Sequence, residues 1–191
     1  MKQVKLILLV AAIAIFAIFL NGCLTSESKE YRFTVNNDGT GSGSIQFINI
    51  ISEDEDGADM SANDFEELIS GYYEGTAFED ENPNYTVTDK KLSEENGKLI
   101  GVVNFTFLSL ADIGFYHDPK CDCSEYLFYI GGLSENFVET NGKYLGEDSD
   151  FPIISWPADT HEFYFKTIVK DTSTNGHSLL PLYNKWKVKQ K

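Results

Sequence analysis

The residues with the densest chemistry lie in one short stretch, Tyr116 to Cys123 (YHDPKCDC). His117, Cys121 and Cys123, with Asp118 and Asp122 between them, put one imidazole and two thiols within seven residues. His-x3-Cys-x-Cys could offer three ligands to zinc or copper, with a fourth from elsewhere. The spacing is unusual for zinc, whose paired cysteines are commonly two to four residues apart. In an oxidising compartment the thiolates that a metal needs are removed by oxidation. A Cys121–Cys123 disulfide would close a very small ring, stabilising little through loop entropy but stiffening the loop. Asp118-Pro119 favours a turn beside it. Disulfide, metal site and free or intermolecular thiols all remain open, and a small-ring disulfide, being easily reduced, adds a thiol-redox role.

Other catalytic patterns fail on their spacing. His161-Glu162 begins H-E-x-x-H, but Phe165 stands where the second His belongs. Gly39, Gly41 and Gly43 do not form G-x-G-x-x-G, and no Lys-Ser/Thr follows them. Gly41 occupies the Ser position of a would-be G-x-S-x-G. The acidic run Ser52 to Asp59 (SEDEDGAD) invites a calcium loop. Started at Ser52, the EF-hand template finds Asp54, Asp56 and Gly57 in place, but it opens on Ser and ends on Asn63. A solvated acidic loop is the simpler reading. The three histidines, at 117, 161 and 177, have no nucleophile–base pattern around them. No enzyme is expected.

One further cysteine has a different setting. Lys2 and Lys5 precede an unbroken apolar run, Leu6 to Leu20, and then come Asn21, Gly22 and Cys23. A positive start, a short apolar stretch and a small residue before a cut site describe an export signal. Fifteen apolar residues fall short of the about 20 needed to span ~30 Å of hydrocarbon. Leu20-Asn21-Gly22-Cys23 resembles a bacterial lipobox. That resemblance implies a diacylglycerol thioether on Cys23, cleavage before it and acylation of the new amino group. Residues 1–22 would then be a lipoprotein signal peptide, 23–30 a lipidated tether and 31–191 a single exported domain. Leu24, rather than Asp, follows the cysteine, which favours the outer membrane.

Composition limits what such a domain can do. Without Lys2 and Lys5, thirteen basic residues face 30 acidic ones, a net charge of −17. A surface so acidic excludes nucleic acid as a partner, because phosphates demand a basic footprint. Aromatic residues make up 14% of the chain, ample material for a core, so the domain is expected to fold.

The elements that must carry these residues read as hairpins around a helix. Tyr31, Phe33 and Val35 alternate with Arg32, Thr34 and Asn36, and Asn37-Asp38-Gly39 supplies the turn into Thr40–Ile51. Asn63 is placed to cap a helix running to about Tyr73, with Phe65, Leu68, Ile69 and Tyr72 on its inner side. A second hairpin runs from Tyr85 to Leu92, turns near Asn96-Gly97 and returns through Lys98–Leu108. Ser109–Ile113 reads as a single helical turn. Glu125–Ile130 reads as a buried strand, Asn141-Gly142 as a two-residue hairpin, and His161–Lys170 as a strand with Phe163, Phe165 and Thr167 on one face. Alternate lysines in the C-terminal tail, 185 to 191, read as a protected edge strand or as a patch drawn to anionic headgroups.

The lipobox, a strand-Asp38-Gly39-Thr40-Gly41-Ser42-strand unit, an acidic amphipathic helix and a hairpin ending in Phe105-Thr106-Phe107 together resemble the LppM-like group of bacterial lipoproteins. Val35 and Gly101-Val102-Val103 belong to the same pattern, which covers about the first 110 residues. The resemblance implies an exported α+β domain with an envelope-related role and brings no catalytic residue.

The expectation is an α+β fold, an antiparallel β-sheet built from hairpins with one main α-helix packed on a face. Its function is that of a membrane-anchored envelope lipoprotein with a non-catalytic binding or scaffolding domain, reaching the membrane through its lipid. An envelope protein or an apolar ligand would be its partner, and the covalent lipid its sole attached group. The alternative is a metal-binding or thiol-redox module at His117, Cys121 and Cys123, with zinc or copper.

Overall fold

A computed structural model describes residues 24–118, 120–121, 124–133, 135–146, 151–169 and 176–190. The signal segment and Cys23, together with Cys123, lie outside them. In chain order the strands are β1 (Leu24–Val35), β2 (Gly41–Ser52), β3 (Thr86–Glu95), β4 (Lys98–Phe107), β5 (Phe115–Tyr116), β6 (Tyr126–Tyr129), β7 (Glu135–Thr140), β8 (Lys143–Tyr144), β9 (Ile153–Trp156), β10 (Glu162–Val169) and β11 (His177–Ser178). The helices are α1 (Ser61–Glu67), which continues as a π-helical segment Leu68–Tyr73, α2 (Ala77–Glu81) and α3 (Leu180–Lys189). The fold is α+β and its strand pairing is antiparallel.

The large sheet runs β3-β4-β2-β1-β10-β7, with β11 added to the end of β2. Its two tight hairpins follow from local turn chemistry. Gly39 takes φ 85°, and Asn96 and Gly97 take 52° and 75°, left-handed values that Gly and Asn accept most easily. Gly41 and Gly43 lie within β2 directly opposite Phe107 and Phe105. A Cβ on Gly41 would come 2.3 Å from the Phe107 ring, and one on Gly43 would come 2.8 Å from the Phe105 ring. These glycines are small so that two aromatic rings can lie across the strand.

Tyr31, Phe33 and Val35 on β1 and Phe105 and Phe107 on β4 turn their side chains to one buried face, while Arg32, Thr34 and Thr106 are exposed on the other. Two coverings share the buried face. A small sheet, β5-β6-β9-β8, packs Phe115, Phe128, Ile154 and Trp156 against Phe33, Phe163 and Phe165. Helices α1 and α3 close the other part, where Leu68, Leu179 and Tyr183 meet Ile50 and Leu99.

Four expectations need correction. Leu24–Glu30 is not a tether but the first half of β1, held between β2 and β10 from Ser28 onward. Pairing on both sides overrides its polar composition, and Ser26 and Ser28 are buried. Asn63 is not a cap, since the helix begins at Ser61 without a side-chain cap. Asp64 is instead buried and accepts a hydrogen bond from Ser52 Oγ at 2.6 Å. The C-terminal tail is a helix rather than an edge strand, with Leu179, Tyr183 and Trp186 at helical spacing against the core and Pro181 in its first turn.

Asn141-Gly142 is no hairpin either. It joins β7 of the large sheet to β8 of the small one. The Asn141 side chain does this work. Its Oδ1 accepts from Trp156 Nε1 at 2.7 Å and from the Tyr164 amide at 2.9 Å, and its Nδ2 donates to the Glu162 carbonyl at 2.9 Å.

Candidate functional site

Between the helices and the Ile130–Leu133 turn lies a cavity of about 500 Å³ on the buried face of the large sheet. Ile45, Phe47 and Val103 come from the sheet, Leu68, Tyr72 and Tyr73 from α1 and its continuation, and Phe78 from α2. The lining also changes strand parity. Lys29, Tyr31, Ile45 and Phe47 line it on one side of the Glu27–Asn49 position, Ser26 and Ile50 on the other. Glu27 and Asn49 themselves interrupt the β1–β2 pairing, with Asn49 at φ 56°. That local irregularity turns both strands so that a longer length of them faces the helices.

One end of the cavity is polar. The Glu135 carboxylate, 1% exposed, lies 2.7 Å from the Lys29 ammonium. It also accepts hydrogen bonds from the Tyr31 hydroxyl at 3.0 Å and from Thr167 Oγ1 at 2.5 Å. A buried carboxylate so compensated is retained without the full desolvation cost of a lone charge. Lys29 also sits 5.5 Å from the centre of the Phe47 ring, which forms part of the apolar wall.

A second polar group stands where the helices join. Lys90 Nζ donates to the Gly75 carbonyl and to Glu79, each at 2.7 Å. This ties β3 to the end of the π-helical segment, where unpaired carbonyls favour a cation. The Tyr72 hydroxyl donates to Glu81 at 2.6 Å.

The cavity phenols are held neutral. Burial, then the neighbouring Glu135 charge and its hydrogen bond, push the Tyr31 phenol far above the ordinary tyrosine range. Burial and then Glu81 raise that of Tyr72, and burial pushes Tyr85 up to about 12. Each is therefore a hydrogen-bonding group at neutral pH and no base. Among the described residues the lining contains neither histidine nor cysteine, and the Oγ of its serine, Ser26, is buried with no hydrogen-bond partner. The arrangement can hold an apolar body with a polar end.

The sequence-expected site residues fall elsewhere. Cys121 is disulfide-bonded. It lies in a tight turn in which its amide donates to the Asp118 carbonyl at 3.2 Å and its carbonyl accepts from the Ser124 amide at 2.8 Å. Cys23 and Cys123 lie outside the described residues, so neither the lipidation position nor the second loop cysteine is in view. His117 stacks on Tyr126 with ring centres 4.6 Å apart, and its Nδ1 is buried with no hydrogen-bond partner among the described residues. It lines a separate cleft of about 370 Å³ near the first hairpin turn, together with His161.

The acidic loop acquires a distant neighbour that its own pattern could not foretell. Donor atoms of Asp54, Asp59 and His177 lie within 4.8 Å of one another, with His177 Nε2 2.8 Å from Asp54 Oδ1. These groups are largely exposed and form a surface hydrogen-bonded pair with a second acid beside it.

Comparison with protein families, with curated proteins and with solved structures yields no match, so the cavity's own chemistry is the ground for a functional reading.

Proposed function

We propose that this chain is a lipid-anchored protein of the bacterial envelope whose α+β domain binds an apolar molecule without transforming it. The single observation that carries this is the cavity, whose about 500 Å³ falls within the range of small-molecule sites. Its apolar walls suit a hydrocarbon body, and the Lys29–Glu135–Tyr31 end suits a hydrogen-bonding head. In this reading α1 with its continuation, residues 61–73, is the main helix of the sheet face and the roof of the site. The lipobox at Leu20–Cys23 and the likeness to LppM-like lipoproteins support export, anchoring through Cys23 and an outer-membrane location.

Two measurements test it. Full-length protein mixed with a long-chain fatty acid bearing an environment-sensitive fluorophore should take up the probe saturably. Val103→Phe, which fills the cavity from the sheet side, should weaken uptake at least about tenfold while melting stays cooperative, because overpacking costs only about 1–3 kcal/mol. Uptake that is not saturable, or is equal in the variant, would refute the cavity reading. Labelling with a palmitate analogue should disappear in Cys23→Ala; persistent labelling would refute the anchor.

The alternative at His117, Cys121 and Cys123 survives better as a redox module than as a metal centre, since a disulfide sulfur is not a thiolate ligand. Stoichiometric zinc in the purified protein would reverse that order.

A further inference from the structure

We infer that the outward face of α3 is a docking surface for an anionic lipid bilayer, beside the point where the chain enters the domain. The first observation is how the cations are distributed. Lys29, Arg32, Lys90, Lys91, Lys98 and Lys166 are all ion-paired. Lys185, Lys187 and Lys189, like the isolated Lys120 and Lys143, make no ion pair among the described residues, but these three are exposed together on one helix. In a chain with twice as many acids as bases, this is a local reversal of sign.

The second observation is the helix face. Pro181, Lys185 and Val188 follow one another at i, i+4 and i+7, so they share the side opposite Tyr183 and Trp186, with Lys187 and Lys189 on its two flanks. Val188 is 74% exposed between the lysines. The acid bonded to this helix, Glu94, is held by Asn184 at 3.0 Å and not by a lysine, while Lys187 Nζ lies 5.6 Å from the centre of the Tyr183 ring.

The third observation is place. Ser52 pairs with Leu24 on one side and with His177 on the other. Two strand spacings put the chain's entry roughly 10 Å from His177, three residues before α3 begins. Leu24 packs into the same cluster as Leu179, Tyr183 and Trp186. β1 begins at Leu24, the residue next to Cys23 in the chain, so a lipid on Cys23 would hold this end against the bilayer.

A headgroup layer carrying negative charge attracts each nearby lysine enough for about a fivefold gain in partition, so roughly 100-fold for three, within a Debye length of about 8 Å. The rest of the acidic surface would be repelled, which orients the domain. This rests on the anchoring half of the proposal above and not on the cavity.

The test is amine labelling of full-length protein in vesicles, with the modified lysines identified by mass spectrometry. In vesicles of phosphatidylglycerol and phosphatidylcholine, Lys185 and Lys189 should label several-fold more slowly than in pure phosphatidylcholine, while the exposed Lys120 and Lys143 label alike in both. High salt should remove the difference, and so should the triple change Lys185→Glu, Lys187→Glu, Lys189→Glu at its remaining readout, vesicle flotation of the Cys23→Ala protein. Equal labelling of Lys185 and Lys189 in the two vesicle types, with flotation intact, would overturn the inference. Failure of the native protein to float with either vesicle would instead overturn the anchor.

Discussion

Glu135 and Lys29 meet at 2.7 Å although 106 residues apart in the chain, with the Glu135 side chain 1% exposed and that of Lys29 25% exposed. The asymmetry predicts unequal mutants. Glu135→Ala strands a partly buried cation and removes the acceptor of Tyr31 and Thr167, so a loss of about 3–5 kcal/mol is expected. Lys29→Met leaves the acid with two hydrogen bonds and should cost less. Urea melts of both proteins check the order, and a loss below about 1 kcal/mol in Glu135→Ala would show that water replaces the network.

The same cluster makes stability sensitive to alkali. The Tyr31 phenol is raised in the folded protein by burial and by Glu135, so its contribution is fully present below the unfolded value of about 10. As pH rises above that, the unfolded state gives up its proton while the folded state keeps it, and stability falls by about 1.4 kcal/mol per pH unit for this group. Tyr85, pushed up to about 12 by burial, acts in the same direction between about pH 10 and 12. Urea midpoints should therefore decline above about pH 10, and Tyr31→Phe should flatten the decline. An unchanged slope in that variant would contradict the assignment.

Core positions should separate sharply. Phe105 is 1% exposed, and the Tyr85 ring stacks on it at 4.0 Å. Phe105→Ala is expected to cost about 3–5 kcal/mol. Phe65 was expected to lie on the inner side of its helix but is only half-buried, while its neighbour Asp64 is inside. Phe65→Ala should cost about 1–2 kcal/mol, roughly half the fully buried range. Equal losses in denaturant melts would mean that the helix sits rotated from the position described.

What could be read from the residues was whatever is local. The turns at Asn37-Asp38-Gly39 and Asn96-Gly97 fix their own backbone, and alternation along Tyr31–Val35 and Phe163–Thr167 names the buried face. The cavity was not legible, because its walls come from β1, β2, β4, α1, α2 and β7, and Lys29 gives no sign of Glu135. The Leu24–Glu30 strand was hidden by its polarity, which its pairing with β2, and with β10 from Ser28 onward, overrides. In the tail, alternate lysines disguised the i, i+4, i+7 spacing of Leu179, Tyr183 and Trp186. Loop chemistry misled for a related reason. Cys121 and His117 are four residues apart in sequence, yet a sequence cannot state the oxidation state of one or the stacking of the other on Tyr126.

Asn141 offers the strictest check on how the two sheets are joined. Its side chain satisfies the indole N–H of Trp156, which is 1% exposed, together with the Tyr164 amide and the Glu162 carbonyl. Were the residue a turn former, Asn141→Gly would be nearly neutral, because glycine suits a tight turn at least as well. As a bridge between sheets it has no backbone substitute. Both Asn141→Ala and Asn141→Gly should leave the indole N–H unpaired and cost about 1–3 kcal/mol, the penalty for one buried unsatisfied donor. Asn141→Asp keeps the acceptor and should retain much of the stability. Trp156 fluorescence should shift in the first two variants and stay near native in the third. A neutral Asn141→Gly with unshifted emission would mean that the sheets are held by Trp156, Phe163 and Phe165 packing alone.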